Sequence, residues 1–142
     1  MSQSLDELDA SSTKPDIRVA FFDIDGTLLD RQGRYSDNLK HQLARIRARG
    51  VRTAIASGRP HFGARFLIDE LDLVDPGVFC TGAQVYSPSK GATLLSASMQ
   101  GEDCRGLLRR LRELPLYYEL YGTDGFYIET DYAAEVQKVH AQ

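Results

Sequence analysis

Apolar positions come in short dense runs, and each run stops at a polar turn that carries glycine or proline. Ile17, Val19, Ala20, Phe21 and Phe22 are β-branched and aromatic and nearly continuous. That pattern predicts a strand of a parallel sheet, covered on both faces. It stops at Asp23-Ile24-Asp25-Gly26-Thr27. From Ser36 the period becomes helical, with Leu39, Leu43 and Ile46 on one stripe, Arg45, Arg47 and Arg49 near the end, and Gly50 as the stop. Val51 to Ala56 predicts a second strand, ending at Ser57-Gly58-Arg59-Pro60. Pro60 suits a first helical turn, and Phe62, Phe66, Leu67 and Leu71 are read as the buried stripe of the helix that follows. Val78-Phe79-Cys80 is a third strand, ending at Thr81-Gly82. The order β-α-β-α-β predicts a doubly wound, Rossmann-like α/β sheet, whose ligands gather at the carboxyl ends of the strands.

The pattern changes after Tyr86. Ser87-Pro88-Ser89-Lys90-Gly91 is a turn-rich joint. Thr93 to Met99 reads as a strand and Asp103 to Leu114 as a helix with Leu107, Leu108 and Leu111 inward. Leu116 to Tyr121 and Phe126 to Thr130 read as strands joined by the hairpin signal Gly122-Thr123-Asp124-Gly125. The expected organisation is a flexible polar tail over residues 1–16, the N-terminal part of an α/β core over 17–86, and a second, α+β unit over 87–142.

Composition narrows the classes. With 142 residues, 42% hydrophobic and 26% charged, the chain is a globular domain rather than a disordered one. A net charge of -3 argues against nucleic acid held by bulk charge. No apolar run approaches the ~18 residues of a membrane helix, and the polar, acidic start is unlike a secretory signal. Cys80 and Cys104 form neither a metal pair nor a disulfide framework, so a reducing cytoplasm is the expected location.

The candidate chemistry sits in the first two turns. Asp23 and Asp25 supply two hard oxygen donors beside a glycine turn, a pattern that suits Mg²⁺. Gly26 frees the backbone so that the turn can aim amides at an anion, and Thr27 adds a hydroxyl. The adjacent strand brings Ser57, Gly58 and Arg59 to the same edge, where a hydroxyl, amides and a cation suit phosphate oxygens. A lone Asp-x-Asp after a strand more often caps a turn; the second hydroxyl turn shifts the weighing. One carboxylate can attack phosphorus while the other moves a proton. His61, next to Pro60, is read as a surface residue rather than a ligand. Tyr117, Tyr118, Tyr121, Tyr127 and Tyr132 cluster in the second unit, where some are expected in its core and others in the wall of a substrate pocket.

Phe21-Phe22-Asp23-Ile24-Asp25-Gly26-Thr27-Leu28-Leu29 resembles the first motif of the haloacid dehalogenase superfamily of phosphatases. Ala56-Ser57-Gly58-Arg59-Pro60 resembles the second motif of its Cof-type sugar-phosphatase branch, and Thr81-Gly82-Ala83 is similar to that branch's Asn-Gly-Ala segment with Thr for Asn. The α+β unit lies where that branch inserts its cap domain. The resemblance implies that Asp23 is the nucleophile that forms an aspartyl-phosphate. It implies that Asp25 is the general acid and base, that both hold Mg²⁺ (Asp25 through its backbone carbonyl), and that Ser57 binds the transferring phosphoryl group. The expected substrate is a small phosphorylated metabolite, a sugar or nucleotide phosphate.

The family's later Lys and acidic motifs follow the cap, whereas this sequence reaches Gln142 within the cap-like part. The expectation is therefore an N-terminal piece of a longer enzyme or a shortened relative. Its activity alone should be near background, and it should self-associate through an uncovered sheet. The rival reading is a non-catalytic relative that binds a ligand or partner without turnover. A receiver-type phosphoacceptor fits poorly, because Ser57 and Thr81 stand where its acceptor Asp would be.

Overall fold

The computed structural model of the protein describes residues 16–123 and 125–129. Strand β1 (Val19–Phe22) pairs in parallel with β2 (Arg52–Ile55), with Phe22 opposite Ile55. Helix α1 (Leu39–Arg47) connects them and packs on β2. Helix α2 (Arg65–Leu71), preceded by a 3-10 turn at His61–Ala64, leads to β3 (Gly77–Phe79). A parallel bridge between Ala56 and Val78 joins β3 to the first pair. The fold is thus α/β with a parallel sheet, as the alternating pattern predicts.

The sheet does not continue in parallel. Cys80–Gly82 forms a tight 3-10 turn, and β4 (Gln84–Ser87) returns antiparallel to β3. A parallel crossover needs a dozen or more residues, so so short a turn permits only a hairpin. Strand β5 (Ala92–Ser96) pairs antiparallel with β4, which carries this sheet across the turn-rich 87–91 joint. The strand expected at Thr93–Met99 therefore starts and stops earlier. Helix α3 (Gly101–Leu111) follows, also ahead of its expected span. Strands β6 (Leu120–Tyr121) and β7 (Phe126–Tyr127) form the predicted hairpin, shorter than expected, closed by the Gly122 N–H on the Gly125 carbonyl at 2.8 Å. The expected tail over 1–16 lies outside the described residues except for Asp16, as do Asp124, Tyr132 and the end of the chain.

The core lies between the helices and the first strands. Leu43 of α1, Ile55 of β2, Leu67 and Leu71 of α2, and Phe79 of β3 are each no more than 2% exposed. Two sequence expectations fail here. Strand β1 is only half covered, with Phe21 52% exposed, because among the described residues a single strand, β2, pairs with it. The buried stripe of α2 is Leu67, Ile68 and Leu71, and Phe66 is 50% exposed. One residue turns a helix by about 100°, so Phe66 faces away from the stripe that Leu67 occupies. In α3 no residue is fully buried, and Leu107 is exposed rather than inward.

Candidate active site

Alternation at the end of β1 builds the acidic pair. Ile24 is fully buried in the core, so its neighbours Asp23 and Asp25 are turned outward together. Gly26 then adopts φ +81°, in the left-handed region, which lets the chain double back. The turn consumes its own amides. Gly26 N–H donates to the Leu29 carbonyl at 2.8 Å, Leu28 N–H to Asp23 and Leu29 N–H to Ile24 at 2.9 Å. Those N–H groups are therefore not aimed at an anion, contrary to the expectation for a phosphate-cradling turn. Thr27 does not line the pocket that holds the acids; it lines a separate hollow of about 660 Å³ with Asp30 and Arg34.

The end of β2 supplies the facing wall. Ser57 is 8% exposed and is held by its N–H on the Val78 carbonyl at 3.0 Å. Its Oγ accepts the Arg59 N–H at 3.2 Å. Asp23, Asp25, Ser57, Gly58 and Arg59 all line one pocket of about 640 Å³. Five of the six residues singled out from the sequence thus meet at the carboxyl ends of two parallel strands, and Thr27 does not. Residues the sequence reading did not assign to the site complete the wall, Pro60, Phe62, Gly63, Phe66 and Phe126, and Tyr121 joins them from the group of tyrosines of which some were expected to wall a pocket. The signal for Phe66 was present in the helical register, which sets it one position off the buried stripe.

Arg59 is half-buried and turned onto Asp25. It grips Asp25 with one edge of the guanidinium, Nη2 to Oδ1 at 2.6 Å and Nε to Oδ2 at 2.9 Å. This bidentate pair holds the Asp25 carboxyl below the ordinary Asp range, chiefly through the hydrogen bond from Arg59. Asp23 is exposed and lies outside that pair.

Thr81 and Cys80 carry left-handed backbones, φ 54° and 50°, beside Gly82 at φ 97°. A β-branched residue is strained there, whereas Asn tolerates that region. The Thr81 N–H donates to the Ser57 carbonyl at 3.4 Å, which ties this turn to the site. His61 differs from its surface assignment. It is half-buried, its Nδ1 lies 3.0 Å from Gln84 Oε1, and its ring stacks on Tyr86 at 4.0 Å.

A metal at the pocket could be held by the Asp23 carboxylate and, as the resemblance implies, the Asp25 backbone carbonyl, both hard oxygens that suit Mg²⁺. Among the described residues no group of three or more His, Cys, Asp and Glu side chains gathers to hold an ion.

A model of haloacid dehalogenase-like hydrolases matches residues 20–142. The chain belongs to that family. The 5-amino-6-(5-phospho-D-ribitylamino)uracil phosphatase YwtE of Bacillus subtilis is 26% identical over 121 residues, covering 84% of this chain and 40% of the relative. A haloacid dehalogenase-like hydrolase structure from B. subtilis superposes with TM-score 0.75 at 21% identity, over 87% of this chain and 42% of its own. A subclass IIB sugar phosphatase of the same superfamily superposes with TM-score 0.70 at 19% identity, over 86% of this chain and 47% of its own. The chain spans about two-fifths of the length of the first curated relatives it matches, 42%, 42% and 40%. No helix among the described residues is long and apolar enough to cross a membrane.

Proposed function

We propose that the protein is a phosphomonoester phosphatase, acting on small sugar or nucleotide phosphates, with Asp23 as nucleophile. The observation that carries this reading is the convergence of Asp23, Ser57, Gly58 and Arg59 on one pocket at the strand ends. Asp23, unpaired with Arg59, is the carboxylate available to attack phosphorus, forming an aspartyl-phosphate as the ester oxygen leaves. The Ser57 hydroxyl and the Gly58 backbone, both in the pocket lining, would donate to the phosphoryl oxygens. Mg²⁺ at the Asp23 carboxylate and Asp25 carbonyl would offset the charge that repels a carboxylate from a phosphate.

Asp25 has two tasks that its environment separates. Gripped by Arg59 it is held ionised, the state a carboxylate must be in to take a proton from the water that hydrolyses the aspartyl-phosphate. Protonating the leaving oxygen requires the opposite state, and Arg59 must first let go. The same grip supports the rival reading, a module that binds phosphate esters without turnover.

Beryllofluoride trapping in Mg²⁺, followed by ¹⁹F NMR on the full chain, separates these roles. Wild type should show a bound beryllofluoride signal, Asp23→Asn should lose it, and EDTA should abolish it. Trapping retained in Asp23→Asn would overturn the nucleophile assignment. Trapping without hydrolysis of p-nitrophenyl phosphate would favour the binding module.

A further inference from the structure

Pro60 and Phe62 line the pocket, and His61 between them turns the other way, onto the antiparallel sheet. Its Nδ1 lies 3.0 Å from Gln84 Oε1 on β4, and Gln84 Nε2 donates to Thr93 Oγ1 of β5 at 3.2 Å. The imidazole is wedged among three rings. It stacks on Tyr86 at 4.0 Å with the planes 21° apart, and meets Phe62 at 5.6 Å and Phe79 at 6.4 Å edge-on. Gln84 is only 8% exposed. An apolar side chain would fill that place without needing partners, whereas a buried amide costs free energy unless both its ends are bonded. Here both are, and a satisfied buried network is stiff.

The direction of these bonds fixes the imidazole. With its amide nitrogen committed to Thr93, Gln84 offers His61 an oxygen that can only accept, so the proton of the neutral ring sits on Nδ1. From His61 the route to the pocket is short. Pro60 separates it from Arg59, in extended backbone at φ -67° and ψ 153°, and the Pro60 ring locks the first of those angles. The same turn is also tied by its backbone to the bend after β3. The Cys80 N–H donates to the Arg59 carbonyl at 3.0 Å and the Thr81 N–H to the Ser57 carbonyl at 3.4 Å. The bend after β3 thus holds the body of the turn, and His61 holds its end.

We infer that His61 is a positioning residue for the turn Ser57–Pro60: its Nδ1–H, held by Gln84 and through it by Thr93, keeps Ser57, Gly58 and Arg59 at the spacing in which they meet a phosphoryl group. The inference rests on the phosphatase reading and adds to it a residue outside the pocket. His61 neither touches the substrate nor moves a proton. It lowers the cost of ordering the turn when phosphate binds.

Two measurements on the full chain test it. Long-range ¹H–¹⁵N NMR at about pH 8, where an ordinary imidazole is neutral, should show the His61 proton on Nδ1, and an Nε2–H tautomer overturns the inference. Calorimetry with inorganic phosphate in Mg²⁺ buffer, run well below each variant's melting midpoint, measures how well the turn is placed. His61→Ala and Thr93→Val should each weaken phosphate binding roughly three- to tenfold, the worth of about one hydrogen bond. His61→Asn, whose amide nitrogen can donate where Nδ1 did, should recover most of that loss. Thr93 is exposed, so Thr93→Val removes the hydroxyl without opening the core, and circular dichroism checks that every variant is folded. A variant that is merely destabilised but still folded binds phosphate as the wild type does. Unchanged affinity in either His61→Ala or Thr93→Val overturns the inference alone, as does a His61→Asn variant as weak as His61→Ala. If the wild type does not bind phosphate, the phosphatase reading falls and this inference with it.

Discussion

Gly77 is the position where the smallest change should reach the site by a traceable route. It lies buried on β3, and a Cβ built there would stand 2.9 Å from Phe79 Cε2, 3.0 Å from Phe79 Cζ and 3.0 Å from the Ile55 carbonyl oxygen. Real Cβ contacts do not fall so short, so something must move. The Phe79 ring is fully buried at the centre of the core, and the Ile55 carbonyl belongs to β2 itself. Neither can yield without opening β2 from β3. Overpacking of this kind costs about 1–3 kcal/mol, which at roughly 4 °C per kcal/mol lowers the melting midpoint by about 4–12 °C. The displaced strand also carries the Val78 carbonyl that holds the Ser57 N–H, so phosphate binding should weaken along with stability. Gly106 provides the internal control. It lies within α3 with nothing within 4 Å of a built Cβ. There the same change removes helix-opposing freedom and should stabilise α3 by about 0.5–1 kcal/mol. Thermal and urea unfolding followed by circular dichroism measures both. A Gly77→Ala variant within about 0.5 kcal/mol of wild type would refute the close approach of β2 and β3.

Two further predictions concern titration. Arg59→Ala should raise the Asp25 carboxyl back toward its ordinary value of 3.8, read by NMR of the side-chain carboxyl against pH. Because the folded-state value is depressed, the pair contributes stability above about pH 4 that is lost as pH falls through the folded value; with the Asp25 side chain 59% exposed, that contribution is only about 0.2–1 kcal/mol. Tyr117 and Tyr121 are both pushed up to about 12, first by burial and then by their hydrogen bonds to Glu119. A raised folded value means that stability is present below the ordinary 10.0 and lost as pH rises through about 12, and Glu119→Gln should bring phenolate absorbance in at lower pH.

Much of the site was legible in the sequence because it is built from local rules. Ile between two Asp residues must go one way and the acids the other, and a parallel strand pair places the residue after each strand at one edge. The chain therefore determined by itself that Asp23, Asp25, Ser57, Gly58 and Arg59 would meet, and its β-α-β-α-β order determined the class of fold. What it did not determine depended on partners far along the chain. Whether Arg59 meets phosphate or Asp25 is a choice between two anions, settled by a guanidinium placed 2.6 Å from a carboxylate 34 residues away. Whether Thr27 joins the acids depends on how the Gly26 turn folds back onto Leu29, which carries the hydroxyl to a different hollow. The sequence reading placed Phe62 and Phe66 together inside the core. A helix of seven residues cannot bury every apolar side chain, and only contact with the sheet chose Leu67, Ile68 and Leu71 and left Phe66 at the mouth of the pocket.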